Sequence, residues 1–273
     1  MVELKETIQD LIKRKKSLLA FNIQNIWQLE ALYETSNLLS LPVMAQFSSK
    51  YINYFDGHFD FKRLISKYQN NKVFFHLDHS NNSSIIQFCI DCGFASVMYD
   101  GSYEHVSINI DNSNKFYKYA DNKSLLEVEI GSIGGVEDGF GSGNLNYYND
   151  SELVIFAKNA KFDLLALGIG NLHGEYNDVN RVKIELLEHS NQLIGKVPLV
   201  LHGGTGLPDD MIFKAIDYGV VKINISTSLK AETAKLISNF YNTEKYYDEM
   251  KLSMNVKEGL ANYFTPFILK FTK

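Results

Sequence analysis

Stretches of continuously apolar residues recur along the chain and alternate with segments whose apolar residues are spaced three and four apart. The continuous stretches are typical of parallel strands buried on both faces, whereas the spaced segments are typical of helices. The pattern predicts strands at 17–23, 41–49, 72–80, 94–102, 124–132, 162–171, 197–204 and 220–228. It predicts helices between several of these strands, at 26–39, 83–93, 150–161 and 209–219.

This repeated alternation of strand and helix predicts an α/β fold of the (β/α)8 class, a TIM barrel. The amphipathic N-terminus predicts an extra helix before the first strand, and the aromatic-rich segment 230–273 predicts a helical extension that packs on the barrel or on a partner subunit. No Pro/Ser-rich or low-complexity linker interrupts the chain. We therefore expect residues 1–273 to form a single domain.

One predicted connection, 134–150, is rich in Gly, Asn and Asp and is longer than usual. Two interpretations are open for it: a mobile loop that contributes to a site, or a surface loop without a role.

Composition and charge narrow the classes of function. The net charge is −5 and the lysines are scattered, so we expect no nucleic-acid partner. No stretch reaches the ~18 apolar residues of a membrane span, and the N-terminus lacks the apolar segment of a signal peptide. Cys89 and Cys92 have no second cysteine pair, so reduced thiols are favoured over a four-thiolate zinc site. We expect a cytoplasmic protein.

Ionisable and amide side chains fall at the carboxyl ends of the predicted strands. They are Asp78, His79, Asp100, Glu129, His173, His202 and Asn224. In a TIM barrel these ends converge on one face, where active sites lie. Because such groups are costly to bury unless they are paired or bound to a metal, the pattern predicts a site on that face.

Three of the seven histidines, His79, His173 and His202, belong to this set. Three imidazoles that converge on one point form a catalytic zinc site with an open coordination position. Nitrogen ligands without a thiolate favour Zn2+, with Co2+, Fe2+ or Mn2+ as substitutes. His76 has the opposite strand parity to His79, so we expect it to point away from the site and to be structural.

Two further segments predict a phosphate site. HGGTG (202–206) offers backbone N–H groups before a predicted helix, and NISTS (224–228) places hydroxyls and N–H groups at the start of the last one. Helix N-termini and runs of backbone N–H groups bind anions, and the loops after strands seven and eight are the usual phosphate site of such barrels. Taken alone, each segment is equally well a turn with a helix cap.

These motifs together resemble the class II, metal-dependent ketose-bisphosphate aldolases, the family of fructose- and tagatose-bisphosphate aldolases. The matching motifs run in order through the whole barrel. They are AFNIQN (20–25), HLDHS (76–80), GFASVMYDGS (93–102), EVEIGSIGGVEDG (127–139), GIGNLHGEY (168–176), PLVLHGGTGLPDD (198–210) and VVKINISTSL (220–229).

The resemblance implies reversible cleavage of a sugar phosphate to dihydroxyacetone phosphate and an aldehyde, with Zn2+ stabilising the enediolate. It implies that Asp78 is the acid/base for the substrate hydroxyl and that Glu137 moves the carbon-bound proton. The implied metal ligands are His79, His173 and His202, with Asp100 and Glu129 at a second divalent metal position and a monovalent cation as a further candidate. The implied substrate-binding residues are Asn22, Ser48 (or Ser49), Gly174, Gly203, Gly204, Thr205, Asn224, Ile225, Ser226 and Thr227. The family also implies a homodimer or homotetramer.

The chain departs from the family pattern in several places. Ser80 replaces the usual Gly after the Asp-His pair, Val136 replaces one acid of a GGEED motif, and Asn177 stands where Lys is common. The three arginines are at 14, 63 and 181, so none follows 181 to hold a second phosphate. We therefore expect that the aldehyde half of the substrate is unphosphorylated or is held by a lysine such as Lys251.

Two other functions and one other mechanism fit the sequence less well than a metal-dependent aldolase. Hydrolysis by a zinc-bound hydroxide would not need the phosphate segments. A non-catalytic partner subunit of an aldolase would not need Asp78 and all three histidines. Lys222, on the predicted eighth strand, invites a Schiff-base mechanism, but the three histidines favour a metal.

Overall fold

Eight parallel strands form a closed barrel in chain order in the computed structural model, which describes residues 2–55, 60–135, 147–244 and 247–273. The first strand pairs with both the second and the eighth, which closes the barrel. The predicted (β/α)8 class is confirmed. The strands are β1 (Leu18–Asn22), β2 (Val43–Ser48), β3 (Val73–Asp78), β4 (Ser96–Tyr99), β5 (Leu125–Ile130), β6 (Leu164–Leu167), β7 (Leu199–Leu201) and β8 (Val220–Ile225).

Helices precede the first strand, connect successive strands and follow the last strand. Within the described ranges they are α1 (Val2–Arg14), α2 (Ile26–Leu39), α3 (Ser49–Phe55), α4 (Phe61–Tyr68), α5 (Ser83–Cys92), α6 (Val106–Ala120), α7 (Asp150–Asn159), α8 (Glu185–Ile194), α9 (Asp209–Asp217), α10 (Thr227–Thr243) and α11 (Glu249–Phe271), with a 3₁₀ turn at Val179–Arg181. None of these helices has the length and hydrophobicity that a membrane span requires.

Helix ends follow the sequence signals closely. Gly93 closes α5 in the left-handed conformation, with φ +97°, and its N–H bonds the carbonyls of Cys89 and Ile90. Gly219 follows α9 with φ +102°. Because a residue with a Cβ is strained at such φ values, these glycines stop their helices where the sequence predicted.

The N-terminal helix closes the amino end of the barrel. Its residues Leu4, Ile8 and Leu11 are at most 5% exposed and join one apolar cluster with residues of the strands. The strand members of that cluster include Leu18, Met44, Phe74, Leu125, Leu164, Val200 and Val221. The extra helix predicted from the sequence therefore acts as a plug, which covers the apolar interior at the amino end of the barrel.

The C-terminal helix packs on the barrel, which is one of the two positions predicted for it from the sequence. Phe264 of α11 meets Phe21 of β1 edge to face, with ring centroids 4.8 Å apart. The α11 residues Val256, Leu260 and Ile268 are fully buried. An edge-to-face pair adds about 0.5–1.5 kcal/mol to the stabilisation from area burial alone.

The two cysteines lie on the same helix as free thiols. Cys89 is buried, and burial raises the pKa of its thiol well above the usual value. Burial is also the largest cause of the raised pKa of Cys92. Because a raised pKa disfavours the thiolate, neither thiol is activated as a nucleophile. This agrees with the prediction of ordinary reduced cysteines.

Two adjacent residues of α1 test the plug. Leu11→Ala should lower the free energy of unfolding by about 2–5 kcal/mol, because it opens a cavity in the fully buried cluster. The matched control is Ile12→Ala, since Ile12 is 46% exposed, and it should change the stability by less than about 0.5 kcal/mol. Urea titration of both variants measures the difference. Equal effects would mean that α1 does not close the barrel.

Candidate active site

The carboxyl ends of the strands bring the predicted polar residues to one mouth of the barrel. Asn22, Ser48 and Asp78 end β1, β2 and β3, and Ser48 lies directly beside Asp78 in the strand register. All three are at most 4% exposed. The predicted convergence is thus present in the described part of the chain.

His79 takes its position from a strained backbone. It directly follows β3 and has φ +32°, a value that non-glycine residues rarely adopt. The Ser49 hydroxyl donates to the His79 carbonyl at 2.8 Å and helps to hold this turn. The alternation of side chains between the two faces of β3 ends at Asp78, so it does not determine the direction of the His79 ring.

The expectation that His76 points away from the site is wrong for the same reason. His76 is fully buried and contacts Ser96 of β4 and Lys222 of β8. Side chains from β3 and β8 meet only inside the barrel, so His76 lies in the interior beneath the mouth.

His173 is carried by the connection after β6, which pairs with the connection after β5. The His173 N–H donates to the Gly134 carbonyl at 2.8 Å, beside a parallel bridge between Gly134 and Leu172. A Cβ on Gly135 would lie 2.4 Å from the His173 carbonyl oxygen, so only glycine allows this approach. Two glycines of the fifth connection therefore fix the backbone of His173.

The three predicted histidines meet. Their ring centroids are 4.8 Å apart for His79 and His173, 4.6 Å for His79 and His202, and 6.1 Å for His173 and His202. One ligand nitrogen from each lies within 4.8 Å of the other two, in an arrangement that can hold a metal ion.

The hydrogen bonds around two of these rings fit a cation between them. Nδ1 of His79 donates to Asp100 at 2.8 Å, and Nε2 of His202 lies 2.8 Å from Glu127. The opposite nitrogens, Nε2 of His79 and Nδ1 of His202, face each other at 2.9 Å. Two lone pairs at this distance repel unless a proton or a metal ion lies between them, so the residues present fit a metal.

A second group shares His79. Asp100 and Glu129 join it in a set of ligand atoms within 4.8 Å of one another. Asp100 also accepts two hydrogen bonds from Ser102, whereas Oε2 of Glu129 is buried and has no hydrogen-bond partner among the residues that the structure describes. A buried carboxylate oxygen without a donor is a ligand atom that a cation would satisfy.

Electrostatics within this group are strong. Burial lowers the pKa of His79, but the carboxylates of Asp78 and Asp100 outweigh it and raise that pKa to about 10. Burial raises the pKa of Asp100, but its hydrogen bond and charge interaction with His79 lower it to about 2. Burial and the Asp100 charge raise the pKa of Glu129 well above its usual value. The carboxylates around His79 thus favour a positive charge on its ring in the metal-free protein.

Asp78 is held between two amides. Nδ2 of Asn22 donates to Oδ2 of Asp78 at 2.8 Å, and Nδ2 of Asn224 donates to Oδ1 at 3.1 Å. Gln46 in turn donates to Oδ1 of Asn22, which fixes the orientation of that amide. The carboxylate therefore has a fixed orientation, set by residues from β1, β2 and β8.

The two predicted phosphate segments lie side by side. The Gly204 N–H donates to the Asn224 carbonyl at 3.0 Å, and the Thr205 and Ser228 hydroxyls are 3.4 Å apart. Gly203 has φ +66°, and a Cβ there would lie 2.2 Å from the Leu172 carbonyl. A cleft of about 560 Å³ opens here, lined by Glu175, Tyr176, Thr205, Gly206, Thr227, Ser228, Ala231, Glu232, Lys235 and Tyr263.

The remaining predicted binding residues differ in what they offer. Gly174 has φ +110°, and no described residue lies within 4 Å of the position that a Cβ would take there, so its backbone can be approached from that side. Within the described ranges the buried hydroxyls of Ser48 and Ser226 have no hydrogen-bond partner, whereas that of Ser49 is used by His79. Ile225 is buried and ends β8. Glu137 lies outside the described residues, as does most of the predicted 134–150 loop.

Several residues of the site were not predicted. Tyr176 joins the sixth and seventh connections, because its hydroxyl accepts from the Leu172 N–H and donates to the Gly203 carbonyl. Nδ2 of Asn171 donates to the His202 carbonyl at 3.1 Å. Both residues lie within the predicted GIGNLHGEY motif, so their proximity to His173 was the available signal.

Lys222 does not fit a Schiff-base mechanism. Its side chain is 1% exposed, and its amine donates to Oε2 of Glu127 at 2.8 Å and contacts Nε2 of His76 at 3.1 Å. A Schiff-base lysine needs a free, accessible amine. The preference for metal chemistry over this alternative is therefore supported.

Comparisons with known proteins agree with this geometry. Residues 2–272 match the family model described as fructose-bisphosphate aldolase class-II. A fructose-bisphosphate aldolase of Staphylococcus aureus (strain Mu50) is 30% identical over 267 residues, which cover 95% of this chain and 93% of that protein. A 6-phospho-5-dehydro-2-deoxy-D-gluconate aldolase of Bacillus subtilis (strain 168) is 31% identical over 232 residues, which cover 83% and 79%.

A solved structure supports the fold. The YdjI aldolase from Escherichia coli K12 has a TM-score of 0.79 at 22% identity, and the match covers 98% of this chain and 96% of that one. A parallel barrel whose carboxyl ends carry converging histidines and carboxylates has the architecture of a TIM-barrel enzyme. The chain belongs to the class II fructose-bisphosphate aldolase family and is an aldolase, a carbon–carbon lyase. The resemblance and the enzyme class predicted from the sequence are confirmed.

The Asp100–His79 pair predicts a pH dependence for the metal-free protein. Asp100 stabilises the fold above its usual pKa of 3.8, and this is lost as the pH falls toward about 2. His79 stabilises it below its usual pKa of 6.5, and this is lost as the pH rises toward about 10. The stability lost in Asp100→Asn should therefore be largest between these two usual values and smaller on either side.

Urea titrations in EDTA across this pH range measure that difference. Asp10→Asn, which removes only an exposed ion pair with Arg14, is the control and should cost at most about 1 kcal/mol. A loss in Asp100→Asn that is the same at every pH would contradict the assigned ion pair.

Proposed function

We propose that this chain is a Zn2+-dependent aldolase that reversibly cleaves a ketose phosphate to dihydroxyacetone phosphate and an aldehyde. The observation that carries the proposal is the convergence of three histidine nitrogens within 4.8 Å at the barrel mouth, close to Asp78, in a chain of this family. His79, His173 and His202 would hold the metal. Three imidazoles with an open coordination position are a donor set of catalytic zinc sites, and imidazole is a ligand that suits zinc.

When bound, the metal supplies Lewis-acid stabilisation of the negative charge that develops on the three-carbon fragment. The protein residues do the rest. The hydroxyl proton on the carbon that becomes the aldehyde passes to Asp78, the carbon–carbon bond breaks, and its electron pair stays on the three-carbon fragment. A proton is then added to that carbon, and we assign this transfer to Glu137, while the proton taken up by Asp78 is released to solvent. Asp100 and Glu129 would hold a second divalent metal or a monovalent cation.

The phosphate of the three-carbon half would lie between the seventh and eighth connections. Backbone N–H groups of Gly174 and Gly203 and the start of α10 at Thr227 are the groups available to an anion there, whereas Gly204, whose N–H donates to the Asn224 carbonyl, lines the pocket with its backbone. The side chains of Thr205 and Ser226 add hydroxyl donors, and Asn22, Ser48, Asn224 and Ile225 complete the proposed substrate site. The approach of these connections, with Thr205 and Ser228 hydroxyls 3.4 Å apart, supports one shared pocket.

The proposal for the aldehyde half of the substrate depends on the lack of any arginine after residue 181 that could hold a second phosphate. Lys251, the alternative cation considered for a second phosphate, pairs with Glu244 and is not a free charge. The charged side chains of the adjacent cleft are Glu175, Glu232 and Lys235, so its rim is net acidic. Both observations favour an aldehyde without a phosphate, although one of the two named relatives acts on a bisphosphate by its name.

We further propose that residues 1–273 act as one domain, in a cytoplasmic homodimer or homotetramer. Asp78 and every proposed histidine ligand are in place, which favours a catalytic chain over a non-catalytic partner subunit. Light scattering of the purified protein tests the oligomeric state.

A cleavage assay tests the chemistry and the substrate together. Fructose 1,6-bisphosphate, tagatose 1,6-bisphosphate and a ketose 1-phosphate are each assayed before EDTA, after EDTA and after zinc is restored. We expect release of dihydroxyacetone phosphate that EDTA abolishes and zinc restores, and a higher kcat/KM for the 1-phosphate. Equal kcat/KM for the bisphosphates would contradict the unphosphorylated aldehyde, and release that resists EDTA would contradict the metal.

Asp78→Asn tests the proton transfer. It should lower kcat by about 10²–10⁴-fold, because the amide cannot take the hydroxyl proton, while zinc content stays unchanged. Asp91→Asn, on the exposed end of α5, is the matched control and should retain full activity. Activity of Asp78→Asn within tenfold of wild type would exclude Asp78 as the base.

A further inference from the structure

A buried ion pair lies beneath the proposed metal position and touches one of its ligands. Lys222 and Glu127 are at most 1% exposed, and their side chains are 2.8 Å apart inside the barrel. The other oxygen of Glu127 lies 2.8 Å from Nε2 of His202. On its far side Lys222 contacts Nε2 of His76 at 3.1 Å, and Nδ1 of His76 lies 2.7 Å from the Ser96 hydroxyl.

The stability of the fold does not by itself explain this pair. Removing two charges from water costs several kcal/mol per ion, and well-packed apolar side chains of similar volume often replace a buried pair without loss. The layer below is apolar and is covered by α1. What an apolar pair could not do is direct hydrogen bonds toward His202.

The direction of each hydrogen bond follows from Lys222. An ammonium group only donates, so Nε2 of His76 must accept and Nδ1 of His76 must carry the hydrogen toward Ser96. Glu127, which accepts from Lys222, also accepts from His202, so Nε2 of His202 must carry a hydrogen. Nδ1 of His202 is then left with its lone pair, and that nitrogen faces Nε2 of His79 at 2.9 Å.

We propose that the Lys222–Glu127 pair is a positioning device for the metal centre, which fixes His202 in the tautomer whose Nδ1 lone pair faces the metal. Carboxylates that accept from the far nitrogen of a ligating histidine fix its tautomer and ring orientation. Here a lysine holds that carboxylate in turn, with one oxygen on the amine and the other on the imidazole. The inference rests on the proposed function, because it assumes that His202 is a ligand.

Two matched double variants test the role of the acceptor. Lys222→Met/Glu127→Gln removes both charges and keeps a carbonyl oxygen that can accept from His202. The new amide nitrogen takes the place of Oε2 of Glu127, which lies 3.7 Å from Nε2 of His76. Lys222→Met/Glu127→Leu removes both charges and the acceptor. Each is purified metal-free and titrated with zinc against a chromophoric chelator. We expect the Leu variant to bind zinc about 10–100-fold more weakly than the Gln variant.

Equal zinc affinities of the two variants would overturn the proposal. Wild-type protein that binds no zinc would overturn the proposed function, so the two failures are distinct. A second measurement needs no variant of the pair. In zinc-loaded wild-type protein labelled with ¹⁵N-histidine, two-bond ¹H–¹⁵N spectra should show Nδ1–H on His76 and Nε2–H on His202, and the opposite tautomer on either would also overturn the proposal.

Discussion

Two imidazole nitrogens that face each other at 2.9 Å are the constraint on which the site depends. Each ring has a carboxylate on its other nitrogen, Asp100 for His79 and Glu127 for His202. These carboxylates orient Nε2 of His79 and Nδ1 of His202 inward, where a proton or a metal ion between them relieves the repulsion of their lone pairs. The barrel supplies the geometry, since His79 follows β3 and His202 follows β7, and only a closed barrel brings these strand ends within reach of each other.

The interior of the barrel is layered along its axis. At the amino end α1 and inward-facing apolar residues form a dry plug. Above it lies a charged layer in which Glu127, Lys222 and His76 satisfy one another, and above that layer lie the proposed ligands and Asp78. Because each layer is almost fully buried, the polar groups have few alternative partners, and their hydrogen bonds have fixed directions.

Much of the architecture was predictable because its signals are local. Continuous apolar runs marked the strands within a few residues, and Gly93 stopped α5 where expected. The convergence of the proposed ligands was predictable because polar residues at strand ends converge in any TIM barrel. His76 was misplaced because parity relates residues within a strand, whereas His79 follows the end of β3 with φ +32°. Glu127 and Lys222 were not recognised as a pair because β5 and β8 are joined across the interior, which no local pattern reports.

The central claim is that three histidine nitrogens bind the metal. X-ray absorption spectroscopy at the zinc edge of the zinc-loaded protein measures the ligands directly. We expect imidazole scattering from three histidines with Zn–N distances of about 2.0–2.1 Å and no sulfur shell. A spectrum with fewer than three imidazoles, or with a Zn–S distance near about 2.3 Å, would contradict it.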